Sequence, residues 1–316
     1  MPDFSNDPLS SVVTLLQPQP SISKMVEAGG GWLVERHDLA SPFYCAIVEG
    51  SCCLTLAGRE PVTLSAGDFV LIPDLHSFTM SSEVPPPRLA VRPPRQTGPG
   101  TFRLGPAEAD VEFGALVGHC RFAAPGKDLL VSLLPGMVHV CGHDRLMALV
   151  PLIHEETRSE RPARGMILKR LLEVLMIEAL RSAPRGSLPP GLLRGLSDPQ
   201  LSGALRSIHA DPANTLSVAE LARVAGMSRS GFFERFRKEV GSAPMEYLTA
   251  WRMALAKDLL LRGSLTQSEI AGQVGYGSAS AFAMAFVRHE RMAPGAFAKT
   301  HATRNGGELP VQAELI

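Results

Sequence analysis

Apolar residues recur in two different rhythms along this 316-residue chain. From Gly31 onward they first come as short runs broken by turn residues: Gly31 to Val34, Phe43 to Val48, Cys53 to Leu56, Asp68 to Ile72, Ser77 to Met80 and Ala115 to Phe122. Their brevity and their β-branched and aromatic content predict the strands of a small antiparallel sandwich or barrel. Val84 to Gly100, rich in Pro and Gly, predicts a long loop. After His143 the spacing becomes helical, over Arg145 to His154 and then Met166 to Arg181, where Ile167, Leu171, Val174, Leu175 and Leu180 recur. That second helix needs a partner, either the sheet or a second copy of the chain. Ala183 to Pro199, with four prolines, reads as an interdomain linker.

The C-terminal part repeats itself at a shift of 50 residues. Val224 matches Val274, Ser228 matches Ser278, Ser230 matches Ser280, Phe232 and Phe236 match Phe282 and Phe286, Pro244 matches Pro294, and Tyr247 matches Phe297. In the first copy Ser217 caps an apolar-periodic helix (Val218, Leu221, Ala222, Val224) that stops at Ala225-Gly226-Met227, and Ser228 opens a second helix running to Glu239. In the second copy Ile270, Ala271 and Val274 precede Gly275-Tyr276-Gly277, and Ser278 opens the next helix. Helix, glycine turn and capped helix make a helix-turn-helix pattern.

At 100° per residue Phe232 and Phe236 share one face of the second helix and are core. Ser230, Glu234 and Arg237 lie opposite, where they suit the edges of bases in a major groove. Pro244 to Arg262 predicts one helix of about 28 Å at roughly 1.5 Å per residue. It is a strut long enough to set two reading helices about one turn of DNA apart.

Charge sharpens this picture. The chain as a whole is neutral, yet Leu205 to Thr300 carries 12 Lys and Arg against 8 Asp and Glu, a net +4, and the remainder is −4. A basic C-terminal part beside an acidic N-terminal part suits a DNA-binding module joined to something else. No stretch is apolar enough to span a bilayer, and the first 20 residues lack the basic start and apolar core of a signal peptide, so a cytoplasmic protein is expected.

Over Asp198 to Lys299 the chain resembles the AraC/XylS family of bacterial transcription regulators. The family's signature is met by Val274-Gly275-Tyr276, Ser278, Ser280, Phe282, Phe286, Pro294 and Phe297. The sequence departs from it at Met284, Val287 and Arg291, where a basic residue, Lys and Gly are usual. The resemblance implies DNA contacts at Ser228, Arg229, Ser230, Phe233, Glu234 and Arg237 in the first unit, and at Ser278, Ala279, Ser280 and Ala283 in the second. Arg288 is added as a phosphate contact. Less specifically, Leu64 to Pro73 with its Gly67-Asp68 pair, then His76, and Asp128 to Pro135 resemble the cupin-like sensing domain of one branch of that family. The fold expected is therefore α+β in two domains. Residues 1–182 form a sensing and dimerisation domain, a cupin-like antiparallel β-barrel followed by helices. Residues 183–197 form a linker, 198–302 an all-α domain of two helix-turn-helix units joined by a long helix, and 303–316 a tail.

A catalytic cupin gathers a metal with paired histidines, a carboxylate and a later histidine. That spacing is missing here. His37 and His76 are isolated, Tyr44 and Cys45 occupy the expected strand, and His139 and His143 lie by the start of the helical region. No metal, cofactor or catalytic residue is expected, and a metal-dependent cupin enzyme is the remotest alternative. A ligand-binding sensor leads, with a thiol sensor built from Cys45, Cys52, Cys53 and Cys120 as runner-up. Cys52 and Cys53 are adjacent and so point to opposite faces of a strand, and His119 and Arg121 flank Cys120. Double-stranded promoter DNA and a small-molecule effector or oxidant are the expected partners. RNA polymerase and a second copy of the chain stand as further candidates, and no membrane is involved.

Overall fold

The computed structural model describes residues 7–37, 41–124, 127–184 and 188–302. The described residues sort into two compact units that are not contiguous in sequence. One is sheet-based and takes residues 18–122 and 136–184; the other is helical and takes residues up to 17, 123–135 and 188–302. The expected tail, 303–316, lies outside the described residues.

In the sheet unit the strands are β1 (Pro18–Ala28), β2 (Leu33–Arg36), β3 (Ser41–Glu49), β4 (Ser51–Leu56), β5 (Val62–Ser65), β6 (Asp68–Leu75), β7 (Phe78–Ser81), β8 (Arg95–Gly98), β9 (Thr101–Leu104), β10 (Phe113–Phe122) and β11 (Val138–Cys141). They pair as a seven-stranded sheet in the order β11-β6-β3-β10-β1-β9-β8 and a four-stranded sheet in the order β2-β7-β4-β5. The closed barrel expected from the sequence is therefore not formed among the described residues. Two open sheets stand in its place, and β1 runs parallel to β9 while pairing antiparallel with β10. Trp32, Phe43, Ile47, Leu54, Val70 and Phe113 are buried in the core of this unit. Burial of side chains this large stabilises the unit by about 1.5–3 kcal/mol each. The expected loop Val84 to Gly100 contains β8, and His139 sits on β11, just ahead of the helix that His143 opens.

Two helices complete the sheet unit, α3 (Asp144–Arg158) and α4 (Arg164–Arg181). Helices α1 (Pro8–Leu16) and α2 (Lys127–Ser132) belong to the helical unit. On α4, Leu168, Leu172, Leu175, Met176 and Ala179 are buried. Ile167 and Val174 are exposed, at 43% and 44%. The stripe expected as one face is thus two faces about 100° apart, with Leu175 inside the unit and Ile167, Leu171 and Val174 turned away from it.

The helical unit holds α5 (Leu192–Ser197), α6 (Leu201–Ala210), α7 (Val218–Val224), α8 (Arg229–Val240), α9 (Pro244–Arg262), α10 (Gln267–Gln273), α11 (Ala279–Glu290) and α12 (Pro294–Ala302). Part of the expected linker 183–197 is therefore a helix. Gly195 on α5 packs so close to Leu205 and Val240 that a Cβ would come within 2.8 and 2.7 Å of them. Helix α1 also belongs here, because its apolar residues Leu9, Val12, Val13, Leu15 and Leu16 need a cover and find it on α6 and α9. Gln17 donates a hydrogen bond to Asp258 on α9 at 3.0 Å. Helix α9 is buried nearly all round, with Tyr247, Leu248, Trp251, Leu255 and Leu259 among its enclosed residues. Helices α1, α2, α8, α10 and α12 pack on it.

Candidate functional site

The two repeats fold as two units of the same design. Ser217 and Glu220 form a capping box on α7, and Thr266 and Glu269 form another on α10. Such reciprocal bonds satisfy two of the orphan N–H groups at a helix start and are worth about 1 kcal/mol. Gly226 (φ 63) and Gly275 (φ 79) take the left-handed conformation that the turn requires. Ser228 and Ser278 then cap the second helix of each unit, α8 and α11, accepting from the N–H of Gly231 at 3.2 Å and of Ala281 at 3.1 Å.

The structure corrects the register of the repeat. Leu221, Ala222 and Ala225 are the buried residues of the first unit's leading helix and its end, while Ile270, Ala271 and Val274 are those of the second. Caps, buried residues and turn glycines thus correspond at a shift of 49. The shift of 50 begins only at Ser228 and Ser278, because Gly277 is an extra residue in the second turn. Val224, matched to Val274 on sequence, is accordingly 46% exposed, whereas Val274 is fully buried.

Phe232, Phe236, Phe282 and Phe286 are fully buried. They hold the inner faces of α8 and α11, so the opposite faces point outward. On α8 that leaves Arg229, Ser230, Glu234 and Arg237 exposed with Phe233 half-buried; Ser228 is exposed at the cap. On α11, Ser280, Met284, Val287 and Arg288 are exposed, Ala279 and Ala283 are half-buried, and Ser278 is exposed at its cap. Ser278 and Ser280 share a hydroxyl hydrogen bond of 3.1 Å. Arg235 is held aside by Asp198 at 2.7 Å, which leaves Arg237 as the α8 guanidinium near the middle of the outward face.

The turn of the second unit is braced from the strut. Arg252 on α9 donates to the carbonyls of Pro212 and Asn214 at 2.8 and 2.9 Å and lies 5.8 Å from the centre of the Tyr276 ring. A Cβ on Gly275 would come within 2.6 Å of that guanidinium and 2.9 Å of the Ala213 carbonyl. Glycine is demanded there both by φ and by space.

Two capped helix-turn-helix units on one buried helical axis, each turning the outer face of its second helix to solvent, define a DNA-binding protein. Residues 221–300 match the family described as a helix-turn-helix domain, and residues 7–183 match the family described as cupin. A protein of Streptomyces antibioticus named AraC-like transcription regulator is 36% identical over 305 residues, covering 93% of this chain and 98% of that one. The HTH-type transcriptional regulator AlkR of Acinetobacter baylyi is 30% identical over 301 residues, covering 91% and 97%. Among solved structures, the DNA-binding domain of AdpA in complex with a target DNA is 30% identical, covering 35% of this chain and all of that one, with a TM-score of 0.33. The chain belongs to the AraC family of transcription regulators, with a cupin domain ahead of its helix-turn-helix domain. No described helix is long and apolar enough to cross a membrane.

In the sheet unit, a pocket opens between the two sheets, lined by Trp32, Phe43, Phe78, Met80 and Phe113, with Lys24, Arg36 and His119 as its basic groups. Its cavity volume of about 60 Å³ would hold roughly four water molecules. Burial, together with Lys24 and Arg36, pulls the His119 imidazole down to about 4. Burial and Arg36 lower Lys24 to about 8.

The cysteines fall differently from the thiol expectation. Cys45, Cys52 and Cys120 are buried, Cys53 is half-buried on the opposite face of its strand from Cys52, and Cys141, left out of the expected set, is exposed. Burial pushes Cys45 well up and Cys52 up to about 12, which makes both weak nucleophiles at neutral pH. His119 and Arg121 leave β10 on the face opposite Cys120, so neither converges on its sulfur. His37 and His76 stay apart, and His76 pairs with Asp74 on the surface. The sequence reading missed the meeting of Asp68, His139 and Cys141, since nothing local to Val138–Cys141 announced a strand paired with β6.

Proposed function

We propose that α8 and α11 enter successive major grooves of promoter DNA and that α8 carries most of the base selectivity. The observation behind this reading is the contrast between their outward faces: Ser230, Glu234 and Arg237 on α8, and Ser280, Met284 and Val287 on α11. Arg can donate a bidentate pair to guanine and Glu can accept from cytosine, each good pair being worth about 1–3 kcal/mol of discrimination. The second helix docks through Ser278, Arg288 and the backbone at its start, with Ala279 and Ala283 against the groove wall. Genome-wide mapping of bound sites, followed by binding measured across a range of salt, tests this. Affinity that does not fall with salt, or no site-specific binding at all, overturns it.

The sheet unit regulates rather than catalyses. Its effector is a small molecule with an apolar body and an anionic end, a chemistry matched by aromatic walls and by Lys24, Arg36 and His119 in one pocket. Burial first, and the neighbouring cations second, depress Lys24 and His119, and an anion among these groups favours their charged forms. A thermal-shift screen of small carboxylates against their amide counterparts checks it: the acids should stabilise the wild type and not Arg36→Met. A second copy of the chain and RNA polymerase complete the partners of such a regulator.

A further inference from the structure

Asp68, His139 and Cys141 share one face of the β6–β11 pair. The antiparallel register sets Cys141 opposite Asp68, and His139, two residues before Cys141, projects to the same side. The His139 Nε2 atom is 3.1 Å from Asp68 Oδ2 and 3.6 Å from Cys141 Sγ, and the three donor atoms all lie within 4.8 Å of one another.

From this geometry we infer that Asp68, His139 and Cys141 form an exchangeable site for a divalent transition metal of the zinc type. Bond lengths of about 2.0–2.1 Å to nitrogen, 2.3 Å to sulfur and 2.0–2.2 Å to oxygen, set at tetrahedral angles, separate N from S by about 3.6 Å and N from O by about 3.4 Å. The two separations in the structure are already within a few tenths of an ångström of these values. Donor chemistry narrows the ion. Imidazole with thiolate favours zinc-like cations over magnesium or calcium, which take all-oxygen shells. Asp68 is oriented in advance, because its Oδ2 also accepts from the Ser65 N–H at 3.0 Å. His139 is only half-buried and Cys141 is exposed, so the fourth position opens to solvent and is left for water. Closed four-ligand sites are structural, whereas an open three-ligand site beside solvent can load and unload. Binding is balanced by release of the Cys141 thiol proton to water, the metal taking its place on sulfur. The site is distinct from the aromatic pocket, none of whose lining residues it shares.

The test uses the full-length protein after chelator treatment and dialysis. Cobalt(II) serves as a spectroscopic stand-in, since a cobalt–thiolate bond gives a charge-transfer band in the near ultraviolet. We expect one cobalt per chain, the band appearing on titration and disappearing when zinc is added. Cys141→Ser should abolish the band and weaken zinc binding by on the order of 100-fold or more, since even a lost outer contact costs 10–100-fold. Cys141 is exposed, so this variant folds, and Cys53→Ser controls for the other accessible thiol. An absent band in the wild type, or one that Cys141→Ser leaves unchanged, overturns the site and leaves a hydrogen-bonded cluster that ties β11 to β6.

Discussion

Lys257 on α9 reaches Glu290 at the end of α11 with an N–O distance of 3.0 Å, and both side chains are largely out of water, 5% and 16% exposed. The bond fixes the C-terminal end of α11 to the buried axis. Burial works against the Glu290 charge, but the hydrogen bond and charge of Lys257, aided by His289, outweigh it and hold the carboxyl below its usual range. Glu290→Leu should therefore cost about 1.5–3 kcal/mol by removing a charge-assisted hydrogen bond from the buried Lys257 ammonium. The sign of the pH effect follows. The pair stabilises above the ordinary glutamate range and loses its contribution as pH falls through the depressed folded value. Urea unfolding from neutral to acid pH checks both: the variant's deficit should shrink on acidification.

Arg237→Ala should weaken binding to a mapped site more than Val287→Ala does. A base-by-base scan of that site should show one half intolerant of change and the other tolerant, with a residual preference for A·T where small side chains meet thymine methyl groups. Equal sensitivity in both halves would show that α11 reads bases by contacts its outward face does not suggest.

Arg291 ends α11 with φ 58, the left-handed conformation in which the family usually has glycine. A residue with a Cβ costs about 1–2 kcal/mol there. Arg291→Gly should stabilise the helical unit by about 1 kcal/mol, read as a raised denaturation midpoint at unchanged slope. No gain would show that the Arg291 side chain earns back its strain.

The corrected faces of α4 redirect the test for self-association. Leu175 is a core residue of its own unit, and changing it would unfold rather than dissociate. Ile167→Asp with Val174→Asp instead places charges on exposed positions, so folding survives while an apolar seam would not. Sedimentation should show the mass halved if α4 pairs with a second copy. An unchanged mass removes this helix from any dimer.

His119 carries a pH signature. Its ordinary value of 6.5 is lowered to about 4 in the folded sheet unit, first by burial and then by Lys24 and Arg36. Between those values the unfolded chain takes up a proton that the folded unit refuses, so stability is full above about 6.5 and falls as pH drops through the window. The two tryptophans separate the units, Trp32 in one and Trp251 in the other. In Trp251→Phe the remaining fluorescence reports the sheet unit, and there His119→Gln should flatten the pH dependence.

Features built from local chemistry were legible in the sequence. Ser217, Ser228, Phe232, Phe236 and the turn glycines announce their roles through capping, periodicity and backbone freedom. What escaped was set by distant partners. The prolines at 18 and 20 and the polar residues Ser23 and Lys24 disguised β1, although it lies between β10 and β9 in the larger sheet. The β-branched run Val12-Val13-Thr14 disguised α1, whose helical form is selected by burial against α6 and α9 rather than by propensity. A coincidence of two valines hid the extra Gly277. Closure of a barrel depends on which strands find each other, and the alternation within each strand is silent on that.

The placement of α1 sets an order of events during synthesis. Its apolar face and the bond from Gln17 await partners on a helix 241 residues further along the chain. At about 5–20 residues per second, the ribosome needs roughly 12–48 s to deliver Asp258. Through that interval the sheet unit is completed while Leu9, Val12 and Leu16 have no docking surface from α6 and α9. Helix α1 is thus synthesised ahead of the sheet unit and seated after it, once α6 and α9 exist.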